Sequence, residues 1–286
     1  MGDKSAAVSK SFSLTSPLFS HSVAISQPDS PDMTICTTEM TAANTATPTK
    51  VLIAIALDGL SRERAIELTR TLGSWPDASK IHDLVDAYGP SIIHDLKEAG
   101  AKCPWVDYKI HDTKDTVGLR VKALVRNGAK IITVHASGGV PMMKAAVEAA
   151  QSECGDQLPE IYAITVLTSL DDAEIARIYG KDRTREQIVH ELALMAKEAG
   201  VRTVVCSAQE VDMLRTSSEL EGMYFRVPGT RSAGVALGQQ KRSGTPAQAM
   251  ADGKGRARLV AGSQVTKAED PVAAFREMAA EAGTPV

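Results

Sequence analysis

Residues 103–136 read CPWVDYKIHDTKDTVGLRVKALVRNGAKIITVHA, and this stretch holds the repeating unit of the chain. An apolar run from Cys103 to Ile110 gives way to a polar turn and an amphipathic stretch over 114–127. Gly128 follows, and a second apolar run extends from Lys130 to Ala136. Short apolar runs bounded by turn residues read as strands, and the longer amphipathic stretch reads as a helix. A glycine just past the helix is its expected stop. The unit is β–α–β.

The same alternation runs outward in both directions. Further apolar runs lie at 51–57, 160–167, 202–207, 223–227 and 257–262, with a weaker one ending at Lys80–Ile81. Helical patterns occupy 61–73, 89–100, 139–153, 183–199, 208–217, 245–252 and 270–282. Over 183–199, for example, Ile188, Leu192, Leu194, Met195 and Ala199 form one apolar stripe. Gly100 and Gly200 repeat the helix-stop role of Gly128. Eight strands alternating with eight helices over roughly 230 residues is the signature of an α/β fold of the (β/α)₈ TIM-barrel type. A doubly wound open sheet is the competing architecture. It would normally carry a glycine-rich fingerprint after the first strand, and Ala56-Leu57-Asp58-Gly59-Leu60 is not one.

Composition narrows the function. The formal net charge is −3 and aromatic residues make up 4%, which disfavours nucleic-acid or membrane-surface binding and base-stacking platforms. The four cysteines form no CxxC pair and no metal-ligand spacing, so neither a zinc site nor a disulfide framework is expected, and a reducing cytoplasm is the expected compartment. Residues 1–49 are rich in Ser, Thr, Ala and Pro and contain no arginine. They read as a disordered leader ahead of a barrel domain spanning 50–286.

In a TIM barrel the site lies at the C-terminal ends of the strands, and polar residues collect there. Asp58 follows the first strand, Lys80 ends the second, Asp107 and Lys109 end the third, and His135 ends the fourth. Thr168 and Ser169 follow the fifth, Pro228-Gly229-Thr230-Arg231 the seventh, and Gly262-Ser263 the eighth. Strand alternation points Asp107 and Lys109 to one face, with Asp112 in the turn beyond. The segment 228–244, punctuated by Gly229, Gly234, Gly238 and Gly244, reads as a closing lid. His111 and His135 read as packing or hydrogen-bonding residues, and Cys206 as a buried structural thiol.

Several blocks, in order, closely resemble the orotidine 5′-phosphate decarboxylase family: ALDGLS (56–61), DYKIHDTKDTV (107–117), TVHASGG (133–139), TVLTSL (165–170), PGTR (228–231) and AGSQVTKAEDP (261–271). Related sugar-phosphate decarboxylases share the barrel and the DxKxxD core, but they do not resemble this chain at VHASGG, VLTSL or PGxR. The resemblance implies conversion of orotidine 5′-phosphate to uridine 5′-phosphate in pyrimidine biosynthesis, without metal or cofactor. It makes Lys109 the proton donor to the pyrimidine C6 carbon and places Asp107 beside the departing carboxylate, with Lys80 and Asp112 completing a charge array. It implies a homodimer in which Asp112 and Thr116 cross to the partner's site. Asp58 and Lys80 would hold the ribose, Thr168 or Ser169 the pyrimidine, and Arg231 and Gln240 the phosphate. An ammonium beside the reacting carbon would stabilise the developing carbanion and then protonate it.

One departure stands out. Where the family has Gly-Arg after the last strand, with the arginine on the substrate phosphate, this chain has Gly262-Ser263. A serine lacks the planar bidentate grip of a guanidinium. Lys241 or Arg242 could supply the charge instead. The alternatives are a different or unphosphorylated nucleoside substrate, or a nucleotide-binding barrel without turnover. The segment DTKDT (112–116) keeps Asp112 and Thr116 but lacks the proline usual between them.

Overall fold

The computed structural model describes residues 51–153, 158–232 and 244–286. Its strands are β1 (Ile53–Ala56), β2 (Ser79–Ile81), β3 (Pro104–Ile110), β4 (Ile131–His135), β5 (Glu160–Ile164), β6 (Thr203–Val205), β7 (Tyr224–Pro228) and β8 (Ala257–Ala261). Each pairs in parallel with the next, and β1 also pairs with β8, with Ile53 opposite Leu259. That last pairing closes the barrel and removes the open-sheet alternative.

Helices α1 (Arg62–Leu72), α3 (Ser91–Glu98), α4 (Lys114–Arg126), α5 (Val140–Ser152), α7 (Arg185–Glu198), α8 (Val211–Thr216), α9 (Pro246–Gly253) and α11 (Pro271–Glu281) fall where the sequence pattern puts them. Three more, α2 (Asp83–Tyr88), α6 (Asp172–Tyr179) and α10 (Ser263–Thr266), lie outside the expected set. Each sits just after a strand, on the side of the barrel that carries the polar residues. Among the described residues no helix is long and apolar enough to cross a membrane.

Alternation divides the strand side chains between two cores. Ile53 and Ile55 of β1 point outward and pack with Leu68 and Leu72 of α1 in the large core between strands and helices. Ala54 and Ala56 point inward, where they meet Trp105, Tyr162, Ile164 and Val205. Both faces of β1 are buried, which is why it reads as a continuous apolar run rather than an alternating one.

The barrel interior also holds a charged plug. Arg226, 1% exposed, makes a bidentate ion pair with Asp77, with both N–O distances 3.0 Å. Its guanidinium also donates to the Leu259 carbonyl and the Tyr162 hydroxyl and lies over the Trp105 and Tyr162 rings. Trp105 Nε1 in turn donates to Thr133 Oγ1 at 2.6 Å. Cys206 is buried, as expected.

Candidate active site

The C-terminal ends of the strands surround a cavity of about 370 Å³. Its floor is apolar and comes from the inward-facing residues Ala56, Trp105, Ile164, Val205 and Val260. Asp58, Lys80, His82, Asp107 and Lys109 line one wall, Thr168 and Ser169 another, and Gly229, Arg231 and Gly262 a third.

A departure from regular strand geometry builds the first wall. β3 advances from Val106 to Ile110 while its neighbour β4 advances only from Ile132 to Val134. The additional residues of β3 bulge out of the ladder, a device that re-aims side chains at a barrel rim. Within the bulge Lys109 adopts φ +49, a left-handed conformation that typically costs a non-glycine residue about 1–3 kcal/mol. The strain is concentrated on the residue whose amine faces the cavity.

Four charges alternate along this wall. Lys80 Nζ lies 2.5 Å from Asp58 Oδ2 and 3.1 Å from Asp107 Oδ2, and Lys109 Nζ lies 2.8 Å from that same Asp107 oxygen. Lys80 and Asp107 are each 7% exposed, so the centre of the array is buried while Lys109 stands open to the cavity. Burial works against charge on Lys80, but Asp107 and Asp58 outweigh it and raise its pKa above the ordinary lysine value. Burial likewise opposes ionisation of Asp58, yet contacts with His82 and Lys80 bring its carboxyl below the usual range. His135 beside the array is held below the ordinary histidine range by burial, with His111 and Lys109 adding to it. Its ring centroid lies 5.5 Å from that of His111.

Most of the expected site residues come together here: Asp58, Lys80, Asp107, Lys109, Thr168, Ser169, Arg231 and Gly262 all line the cavity. Two do not. Asp112 is exposed and its Oδ1 accepts from the Thr113 N–H at 2.7 Å; Thr116 Oγ1 lies 3.0 Å from Thr113 Oγ1. Within one chain the array is therefore Asp58–Lys80–Asp107–Lys109, and Asp112 is not part of it. Gln240, Lys241 and Arg242, with most of the expected lid, lie outside the described residues.

Ser263 opens α10 on the far rim, where Arg231 Nη2 donates to its Oγ at 3.5 Å. The loop after β7 is tied to α10 by the Gln264 side chain, which accepts from Ser232 N and donates to Ser232 Oγ. Gly229, at φ +75, makes the turn out of β7 that brings Arg231 over the cavity.

His82 is the wall residue that sequence reasoning missed. Its Nε2 lies 3.2 Å from Asp58 Oδ1 and its Nδ1 accepts from the Asp83 N–H at 2.7 Å. Strand alternation from Lys80 would have placed it on the same face. Asp58, His82 and Asp83 also bring metal-ligating atoms within 4.8 Å of one another. Their donor types suit a divalent cation, but each already has a partner within the protein: Asp58 on Lys80, His82 on Asp83 N–H, and Asp83 on Gly59 N–H.

Fold and site together define a (β/α)₈ barrel with an alternating carboxylate–ammonium wall facing an apolar-floored cavity. Such a site suits stabilising negative charge on a bound carbon. The chain belongs to the orotidine 5′-phosphate decarboxylase / HUMPS family, whose sequence model matches residues 52–278. It is 39% identical over 233 residues to an orotidine 5′-phosphate decarboxylase of a Marinomonas species, covering 81% of this chain and 96% of that one. With the Pseudoalteromonas translucida enzyme of the same name it shares 37% identity over 230 residues, 79% of this chain and 94% of the relative. The crystal structure of the Lactobacillus acidophilus orotidine 5′-phosphate decarboxylase superposes with a TM-score of 0.68 at 30% identity, covering 80% of this chain and 98% of that one.

Proposed function

We propose that this chain decarboxylates orotidine 5′-phosphate to uridine 5′-phosphate, a carbon–carbon lyase reaction of pyrimidine biosynthesis. The observation that carries the proposal is the Asp58–Lys80–Asp107–Lys109 array, with the Lys109 amine at its open end. Breaking the bond between C6 and the carboxylate leaves the electron pair on C6 and releases carbon dioxide. The Lys109 ammonium stabilises that pair and transfers a proton to C6. Lys109 then recovers its proton from solvent. Asp107, whose carboxylate contacts both Lys80 and Lys109, fixes the amine in place and stands beside the leaving carboxylate.

Asp58 and Lys80 take the ribose, Thr168 and Ser169 the base, and Arg231 with Ser263 and Gly262 the phosphate, with Gln240 as a further phosphate ligand. A homodimer belongs to the same reading, with Asp112 and Thr116 directed to the partner's cavity. The exposure of Asp112 on one chain supports this, as does that of the neighbouring Leu119 of α4, 70% exposed. A cytoplasmic location is part of the reading too.

The test is the loss of ultraviolet absorbance as orotidine 5′-phosphate is consumed, run beside unphosphorylated orotidine. The wild-type protein is expected to turn over the nucleotide, and Lys109→Ala to lose at least about a thousandfold in kcat, since it removes both charge stabilisation and proton transfer. Substantial turnover by Lys109→Ala sinks the assignment of that lysine. Product binding without wild-type turnover would instead mark a nucleotide-binding barrel.

A further inference from the structure

We propose that Glu160 is a pH-sensitive latch at the end of the barrel opposite the catalytic mouth. As a neutral acid it lets the strands close around it, and on losing its proton it loosens them. The latch does not depend on the reaction proposed above.

Strand alternation puts Glu160 inside the barrel. Ile161 and Ala163 of β5 pack outward in the core between strands and helices, while Tyr162 and Ile164 face the interior together with Glu160. The same alternation turns Thr203 of β6, Tyr224 of β7 and Arg258 of β8 inward at this end. Thr203 stands opposite Tyr224 in the register of β6 and β7, and Arg258 opposite Arg226 in that of β7 and β8. Two guanidiniums thus share the interior with one carboxyl group at the start of β5.

Their polar atoms are poorly matched. Glu160 Oε1 is shielded from solvent and has no donor among the described residues, and Thr203 Oγ1 and Arg226 Nε are likewise buried without a partner. Arg226 is already taken by Asp77. Arg258 is 9% exposed and lies over the Tyr224 ring at 5.0 Å. Its guanidinium makes neither a hydrogen bond nor an ion pair among the described residues. A carboxylate withdrawn from water without a donor is far more costly than a neutral carboxyl group, so this geometry holds Glu160 as the acid.

Electrostatics agree. Burial pushes the Glu160 pKa above its ordinary value, against the pull of Arg258 on β8, Arg226 on β7 and Arg202 ahead of β6. Asp77, ahead of β2, adds to the push, and Tyr162 is the titratable neighbour on β5 itself. A raised folded value fixes the sign. The stability that the neutral form contributes is complete below the ordinary glutamate range. It is lost as the pH rises through the folded value, because the unfolded chain ionises freely while the folded one must bury a charge.

The experiment is urea unfolding of the full chain from about pH 4 to about pH 8, comparing wild type, Glu160→Gln and Arg258→Met. Glu160→Gln keeps the shape of the neutral acid and cannot ionise. Relative to it, wild type should lose about tenfold in its folding equilibrium per pH unit between the unfolded and folded values of Glu160. Arg258→Met removes an attracting charge, so its loss should run on to higher pH. Infrared difference spectra of the folded proteins give a second reading. A carboxylic-acid carbonyl band should persist above the ordinary glutamate range in wild type and be absent from Glu160→Gln. Should Glu160→Gln fail to fold, the titration of that band in wild type and Arg258→Met still decides. Parallel pH profiles for wild type and Glu160→Gln would overturn the proposal, as would the absence of any acid band above the ordinary range.

Discussion

A serine and an arginine share the far rim of the cavity, Ser263 Oγ lying 3.5 Å from Arg231 Nη2. Position 263 is thus next to the group that most resembles an anion anchor, and a second guanidinium there would double the positive charge facing a phosphate. Ser263→Arg is expected to raise kcat/KM for orotidine 5′-phosphate by about tenfold or more, through a charge-assisted bidentate contact, and to leave unphosphorylated orotidine unchanged. Equal gains on both substrates, or none on either, would show that this rim does not hold the phosphate. At this scale the sequence was only partly legible. Asp107 and Lys109 could be paired by strand alternation, and they do meet. The positive φ of Lys109 and the bulge that produces it left no local mark, because no glycine or proline signals them. His82 escaped because the second strand reads as ending at Ile81, although the rule that pairs Asp107 with Lys109 also pairs Lys80 with His82.

Among elements, the long helices were legible and the short ones were not. α6 has eight residues and buries only Ile175, so it shows no apolar period. Its start was nonetheless written in the sequence. Asp171 accepts from Glu174 N, while the Glu174 side chain accepts from Asp171 N, a complete capping box. Asp171→Ala should cost about 1 kcal/mol and lower the melting temperature by about 2–4 °C. Thermal unfolding by circular dichroism measures this, and an unchanged midpoint would show that the cap contributes nothing. α2 and α10, of six and four residues, have neither length nor such a box. Both sit beside the site, where tertiary contacts and not local preference set the backbone. Asp83 bonds the Gly59 amide and Gln264 bonds Ser232, contacts that no periodicity encodes.

For the whole molecule, the interior plug is the least predictable feature and one of the most consequential. Arg226 stands within an apolar strand and Asp77 in a loop, 149 positions apart in the sequence, so only barrel closure brings them together. Arg226→Met would leave the buried Asp77 carboxylate without its partner and should destabilise the protein by about 3–5 kcal/mol. The double variant Asp77→Leu/Arg226→Met should recover a large part of that loss, because two apolar residues leave no orphaned charge. Denaturant titration of the three proteins decides it, and a single variant as stable as wild type would show that the pair carries no net weight. Barrel closure has another consequence. Because β1 and β8 pair with each other, the sheet offers no free backbone edge onto which another strand could dock. Edge-to-edge polymerisation, the common hazard of sheet proteins, is closed to the folded chain. Among the described residues, that leaves helix faces and mouth loops for self-association, the part of the surface where Leu119, Asp112 and Thr116 lie.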